Sequence, residues 1–136
     1  YIAIVTGHLK EKSGVINLPI ARKENSIIER CISEKGQNAI TKYEVIKELD
    51  SISVVKCFLE TGRTHQIRVH FMAIGHPLIG DSLYGSKSSL INRQALHCYS
   101  ISFVHPITKE VLNITCNLPK DMENIFKQKE DNKKEL

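Results

Sequence analysis

Five side chains able to hold an anion or move a proton crowd into eight positions: Arg63, His65, Gln66, Arg68 and His70, with no acid among them. They belong to the stretch 59–85, LETGRTHQIRVHFMAIGHPLIGDSLYG. The spacing predicts a helix from Thr64 to Ile74. Thr64 is the expected N-cap, since its hydroxyl can accept a first-turn N–H. Gly75 stands where the helix should end, and Pro77 cannot continue it. At about 100° per residue, Ile67, Phe71 and Ile74 share one sector, while Val69 and Met72 lie opposite. A short helix apolar on two sides is expected to be buried. Arg68 falls between those sectors, and a guanidinium removed from water costs several kcal/mol unless a carboxylate or phosphate meets it. Glu60 and Asp81 are the local acids that could do so, in which case Arg68 is a structural ion pair.

Metal chemistry is not expected. His65 and His70 are five apart, not the four that puts two ligands on one helical face, and no Glu follows His65. His97 and His105 flank a strand and read as structural. The four cysteines, Cys31, Cys57, Cys98 and Cys116, contain no CxxC pair and read as buried thiols of a cytoplasmic protein. No Gly-rich phosphate loop and no Ser-His-Asp order is present. No apolar run approaches 18 residues, so a membrane partner is not expected. Lys10-Glu11-Lys12 and Lys133-Lys134 are solvated charges.

The elements that must position these residues are mostly strands. The 136 residues, 41% hydrophobic with a net charge of +4, suit one domain with a real core. Strands are expected at Tyr1–Thr6, Gly14–Leu18, Ile27–Ser33, Ala39–Leu49, Ile52–Leu59, Leu96–Val104 and Val111–Cys116. Ile52–Leu59 has few solvent-facing positions and should be central in the sheet. Ala21–Ser26 reads as a loop. Turn residues at 34–38 predict a hairpin from Ile27–Ser33 into the next strand, and Thr108-Lys109-Glu110 predicts another. Asp121–Phe126 reads as a short helix capped by Asp121. The tail from Lys127 is almost devoid of apolar residues and reads as disordered. The sum is an α+β fold: a mainly antiparallel sheet with a few short helices.

The string Gly62-Arg63-Thr64-His65-Gln66-Ile67-Arg68-Val69-His70 is followed by Gly75-His76-Pro77-Leu78-Ile79-Gly80-Asp81 and by Leu83-Tyr84-Gly85. Together they closely resemble the signature of the RluA-type pseudouridine synthases. Upstream, Tyr1-Ile2-Ala3 and Ala39-Ile40-Thr41-Lys42-Tyr43-Glu44-Val45 match two strand motifs of that family. Downstream, Arg93-Gln94-Ala95-Leu96-His97 and Phe103-Val104-His105-Pro106 fit as well. The resemblance runs from Tyr1 to Pro119. The family's nucleophilic aspartate lies in a His-Arg-Leu-Asp motif upstream of the tyrosine that Tyr1 matches, and no such motif occurs in these 136 residues. Residues 1–126 are therefore expected to be the C-terminal part of a synthase catalytic domain.

The resemblance implies an isomerase that converts uridine to pseudouridine in ribosomal or transfer RNA, without cofactor or metal. Such chemistry holds a detached base in a pocket outside the stack. By resemblance, Arg68 pairs with the nucleophilic aspartate and keeps it ionised, which makes an acid outside these residues its expected partner. Tyr1 packs against the base and helps remove the C5 proton. Arg63, His65, Gln66 and Ile67 form the substrate-binding set, the first three placed to meet phosphate or base edges. The mildly basic charge is compatible with RNA. Without the aspartate the isolated chain is expected to be inactive, and to self-associate through a truncated sheet edge. The alternative is a non-catalytic RNA-binding domain that keeps the synthase fold.

Overall fold

The computed structural model describes residues 1–26, 28–85 and 87–125. A five-stranded sheet in the order β2-β5-β6-β1-β7 forms its frame. The strands are β1 (Ile2–Thr6), β2 (Ser13–Asn17), β5 (Ile40–Leu49), β6 (Ile52–Leu59) and β7 (Leu96–His97). Two hairpins stand apart from it: β3 (Ile20–Arg22) with β4 (Arg30–Ile32), and β8 (Ser100–Val104) with β9 (Val111–Thr115). Every pairing between these strands is antiparallel. One helix, α1 (Gln66–Ala73), follows β6, and residues 120–125 form a second. No helix among the described residues is long and apolar enough to cross a membrane.

The centre of the sheet follows from side-chain alternation. In β1, Ile2 and Ile4 point to one face and Ala3 and Val5 to the other, and all four are buried. The first face joins Val54, Ile79, Ile91, Met122 and Ile125; the second joins Val55, Cys57, Ile67, Phe71 and Leu78. The sheet is thus covered by the 120–125 helix on one side and by α1 on the other. That is why β1 and β6 are apolar almost throughout, and β6 is central as its composition predicts. A β-bulge at Ile46 shifts the register between β5 and β6.

Several expectations need correction. α1 begins at Gln66, and its N-cap is His65 in a left-handed conformation (φ 56°) with no side-chain cap, so Thr64 does not cap it. Its end is as expected: Gly75 has φ 87°, a left-handed conformation that glycine adopts without a Cβ clash. Ile74, assigned to an apolar sector, is partly exposed. Ala21 and Arg22 lie in β3, not in a loop, and β4 pairs with β3 rather than with β5. Gly36 explains that choice. A Cβ there would sit 2.5 Å from the carbonyl carbon of Ile20, so the 33–36 turn folds tightly onto β3. The expected strand Leu96–Val104 is broken in two, because Leu96–His97 adds to β1 while Ser100–Val104 leaves to pair with β9. Asp121 lies inside the 120–125 helix and pairs with Arg93 at 3.0 Å, so it is no cap. Of the four thiols only Cys57 is buried, its pKa pushed up to about 12 by desolvation; Cys98 and Cys116 are exposed. Phe126 and the tail lie outside the described residues.

Candidate functional site

The polar residues of α1 divide into those that seat the helix and those that face outward. Gln66 is buried, and its amide is fully used: Oε1 accepts from the Thr61 hydroxyl and the Arg63 N–H, and Nε2 donates to the Ile40 carbonyl and to Thr41 Oγ1. The Thr41 hydroxyl, having accepted that bond, donates to His70 Nδ1 at 2.8 Å. His70 Nε2 then donates to the Leu18 carbonyl, which assigns the neutral Nε2–H tautomer. Burial, partly opposed by the Leu18 bond, holds His70 below its ordinary pKa, in keeping with that tautomer. Phe71 meets Tyr43 edge-on at 5.8 Å, and Ile67 is packed in the same core. Gln66 and Ile67, both expected in the substrate-binding set, are buried where the helix meets the sheet. Both side chains face inward and fasten α1 to β5 and β6.

Arg68 is the outward-facing exception, and its partner is Asp81. Nε donates to Oδ2 and Nη2 to Oδ1, each at 2.8 Å, in a side-on fork. Asp81 is fully buried, and the Arg68 side chain is 13% exposed. Within these residues Asp81 compensates Arg68, and Glu60 is occupied by Lys42 at 2.6 Å. The Asp81 carboxylate also accepts the N–H groups of Leu83 and Tyr84. Burial is the largest single influence on this acid and would raise its pKa, but Arg68 and the two N–H groups outweigh it and hold the carboxyl below its usual range.

Tyr84 completes the cluster, and helical periodicity gave no hint of it. Arg68 lies over its ring, 5.0 Å from the centroid. Its hydroxyl accepts the Arg30 N–H at 2.8 Å and is hydrogen-bonded to His65 Nδ1 at 2.7 Å. Burial, then the charges of Arg68 and Arg30, lower the His65 pKa. The available signal was the Asp81-x-x-Tyr84 spacing, in which an aspartate can cap the following turn. Among the described residues Arg68 Nη1 has no partner, so it is the edge left for an incoming anion.

Arg63 is partly exposed, its Nε held by the Asn38 carbonyl at 2.7 Å. Tyr1 extends β1 opposite β6, exchanging backbone bonds with Cys57, and lines a cleft of 520 Å³ with Lys56, Phe58, Tyr99 and Ile101. Burial and the neighbouring Cys98 raise the Tyr1 phenol pKa.

Comparison with known proteins matches the chain to a family. The family model for RNA pseudouridylate synthase matches residues 1–73, which span β1 to the end of α1. The uncharacterized RNA pseudouridine synthase YjbO of Bacillus subtilis is 46% identical over 127 residues, covering 93% of this chain and 45% of its own length. Ribosomal large subunit pseudouridine synthase D of Zymomonas mobilis is 38% identical, with 93% and 43% covered. The solved structure of human RNA pseudouridylate synthase domain containing 1 superposes with a TM-score of 0.76 at 30% identity, over 87% of this chain and 53% of that one. The chain spans less than half the length of the curated relatives named here. The α+β expectation and the motif resemblance are both borne out: the chain belongs to the RNA pseudouridylate synthase family.

Proposed function

We propose that this chain supplies the arginine and tyrosine side of an RNA pseudouridine synthase site, in a protein that isomerises uridine to pseudouridine in ribosomal or transfer RNA. The observation that carries the reading is Arg68. A buried carboxylate fixes it at 2.8 Å by two nitrogens, it lies over Tyr84, and its third nitrogen is uncommitted. A guanidinium so fixed can hold a second carboxylate or a phosphate without further ordering cost. The reaction balances without a co-reactant: the N1–C1′ bond breaks, C5–C1′ forms, and the C5 proton is exchanged for one at N1. Tyr1 is assigned to pack against the base and to help remove the C5 proton. His65, bonded to Tyr84 under the Arg68 guanidinium, and Arg63 at the entrance to α1 are assigned to phosphate or base edges. Four free cysteines fit a reducing compartment, so we place the protein in the cytoplasm.

A non-catalytic RNA-binding role is the second reading. It is favoured by the internal pairing of Arg68 with Asp81. Release of tritium from RNA carrying C5-tritiated uridine separates the two. The 136-residue chain should release none, and a polypeptide extended upstream to the length of its relatives should release it. Arg68→Ala in the extended form should lower the rate by about 10²-fold or more, the scale of losing one fixed charge-stabilising donor. An extended protein that binds RNA yet releases no tritium would leave the non-catalytic reading.

A further inference from the structure

A second concentration of positive charge lies outside the Arg68 cluster. A cleft of 370 Å³ between the β3–β4 hairpin and the entrance to α1 is lined by Arg22, Arg30, Lys35 and Arg63, with Thr64 and Gln37 among its polar walls. Among the described residues no acid lines it. Glu29 of the hairpin is bonded to Lys23 at 3.2 Å. Arg22 and Arg30 are direct cross-strand partners, which brings two guanidinium side chains to one face of the hairpin. Arg30 Nη1 donates to the Ile28 carbonyl at 3.1 Å and Arg63 Nε to the Asn38 carbonyl at 2.7 Å, so both guanidinium planes are oriented before any ligand arrives.

We infer that this cleft holds successive phosphates of an RNA strand, a reading that rests on RNA as the partner proposed above. Arginine forks fit phosphate oxygens side-on, and several cations in one groove suit a polyanion better than a single ion. The cleft adjoins the Arg68 cluster: the Arg30 N–H donates to Tyr84 Oη, and Arg68 covers the Tyr84 ring. A strand lying in the cleft therefore passes Tyr84 before reaching Arg68. These contacts position the strand and carry no sequence information. An anionic membrane fits less well, because the cleft is concave and exposes no large apolar side chain among its lining residues.

The test is fluorescence anisotropy of a labelled, unstructured single-stranded RNA with the 136-residue chain across a potassium chloride series. Removing two phosphate contacts by Arg22→Ala with Lys35→Ala should reduce the slope of log affinity against log salt by about 1.4, at roughly 0.7 per contact for a single strand. Arg22→Lys with Lys35→Arg should restore it, and Lys10→Ala with Lys120→Ala, outside the cleft, should change it less. Absence of RNA binding at low salt would overturn the proposal. So would an unchanged slope in the cleft variant, or an equal loss in the outside variant. Binding to phosphatidylserine-containing vesicles that is lost in the cleft variant while RNA binding persists would assign the cleft to a membrane instead. The outcome is independent of catalysis: an altered slope without tritium release from the extended protein would sink only the synthase reading, and tritium release with an unaltered slope would sink only the cleft.

Discussion

At the scale of single residues, Asp81 carries more of the site than any group on α1. It compensates a guanidinium that would otherwise be buried alone, and it caps the turn that places Tyr84. Asp81→Ala should destabilise the chain by about 3–5 kcal/mol, as expected when one partner of a buried ion pair is removed. Urea unfolding would measure it, and a loss under about 1 kcal/mol would show that water already reaches Arg68. Arg68→Met should cost less, because the carboxyl left behind can take up a proton and keep its bonds from Leu83 and Tyr84. A pH effect follows from His70. Its folded pKa lies below the ordinary 6.5, so the unfolded chain binds the proton more readily. The stability this confers is present above about pH 6.5 and is lost as pH falls from there toward the folded value. Protonating Nδ1 would also turn the acceptor of the Thr41 hydroxyl into a donor. Thermal melts from pH 8 to 5 should show a falling midpoint, and histidine NMR titration should place His70 below 6.5.

At the scale of elements, the site depends on where chain segments touch. Gly80 has φ 74°, and a Cβ there would lie 2.0 Å from the Arg93 carbonyl oxygen; Gly75 has φ 87°, and no atom lies within 4 Å of a Cβ built there. Gly75→Ala should therefore cost only the left-handed strain, about 1–2 kcal/mol. Gly80→Ala should cost clearly more, since backbone must move and Asp81 is the next residue. Equal unfolding midpoints for the two variants would show that the 80–93 contact yields freely. The helix is legible in the sequence because its periodicity and its Gly75 stop are local properties. Its cap is not, because Tyr84, nineteen residues beyond His65, bonds to that residue in its left-handed conformation.

At the scale of the whole molecule, the β8–β9 hairpin is exposed in a way that a settled surface seldom is. Ile101 and Ile114 are directly paired across it and 52% and 48% exposed, and Ile107 at its tip is 83% exposed. Together with the open edge of β2, this surface supports the proposal that the chain self-associates. Sedimentation should show association that rises with concentration, weakened by Ile101→Thr with Ile114→Thr. A monomer at all concentrations would remove the proposal.

The α+β class, the central place of β6, α1 with its stop at Gly75 and the family itself were all determined by the sequence alone. Each rests on residues that act on near neighbours: alternation in strands, 3.6-residue periodicity, a glycine that can turn, and a contiguous motif. Tertiary structure decided the rest. Whether Arg68 takes Glu60 or Asp81 depends on the 76–80 segment crossing back over β1, where Thr6 bonds to the Pro77 carbonyl and Ile79 to that of Ile4. Gln66 and His70 look like binding residues in a string of letters, and only the positions of Thr41 and Leu18 show that their polar atoms are already taken. Arg22, Arg30, Lys35 and Arg63 are scattered over some forty residues of chain. They become one cleft because Gly36 lets its turn close on β3 and α1 starts beside it. Charges so far apart in sequence leave no periodic trace, since the contacts that gather them are made by backbone elsewhere.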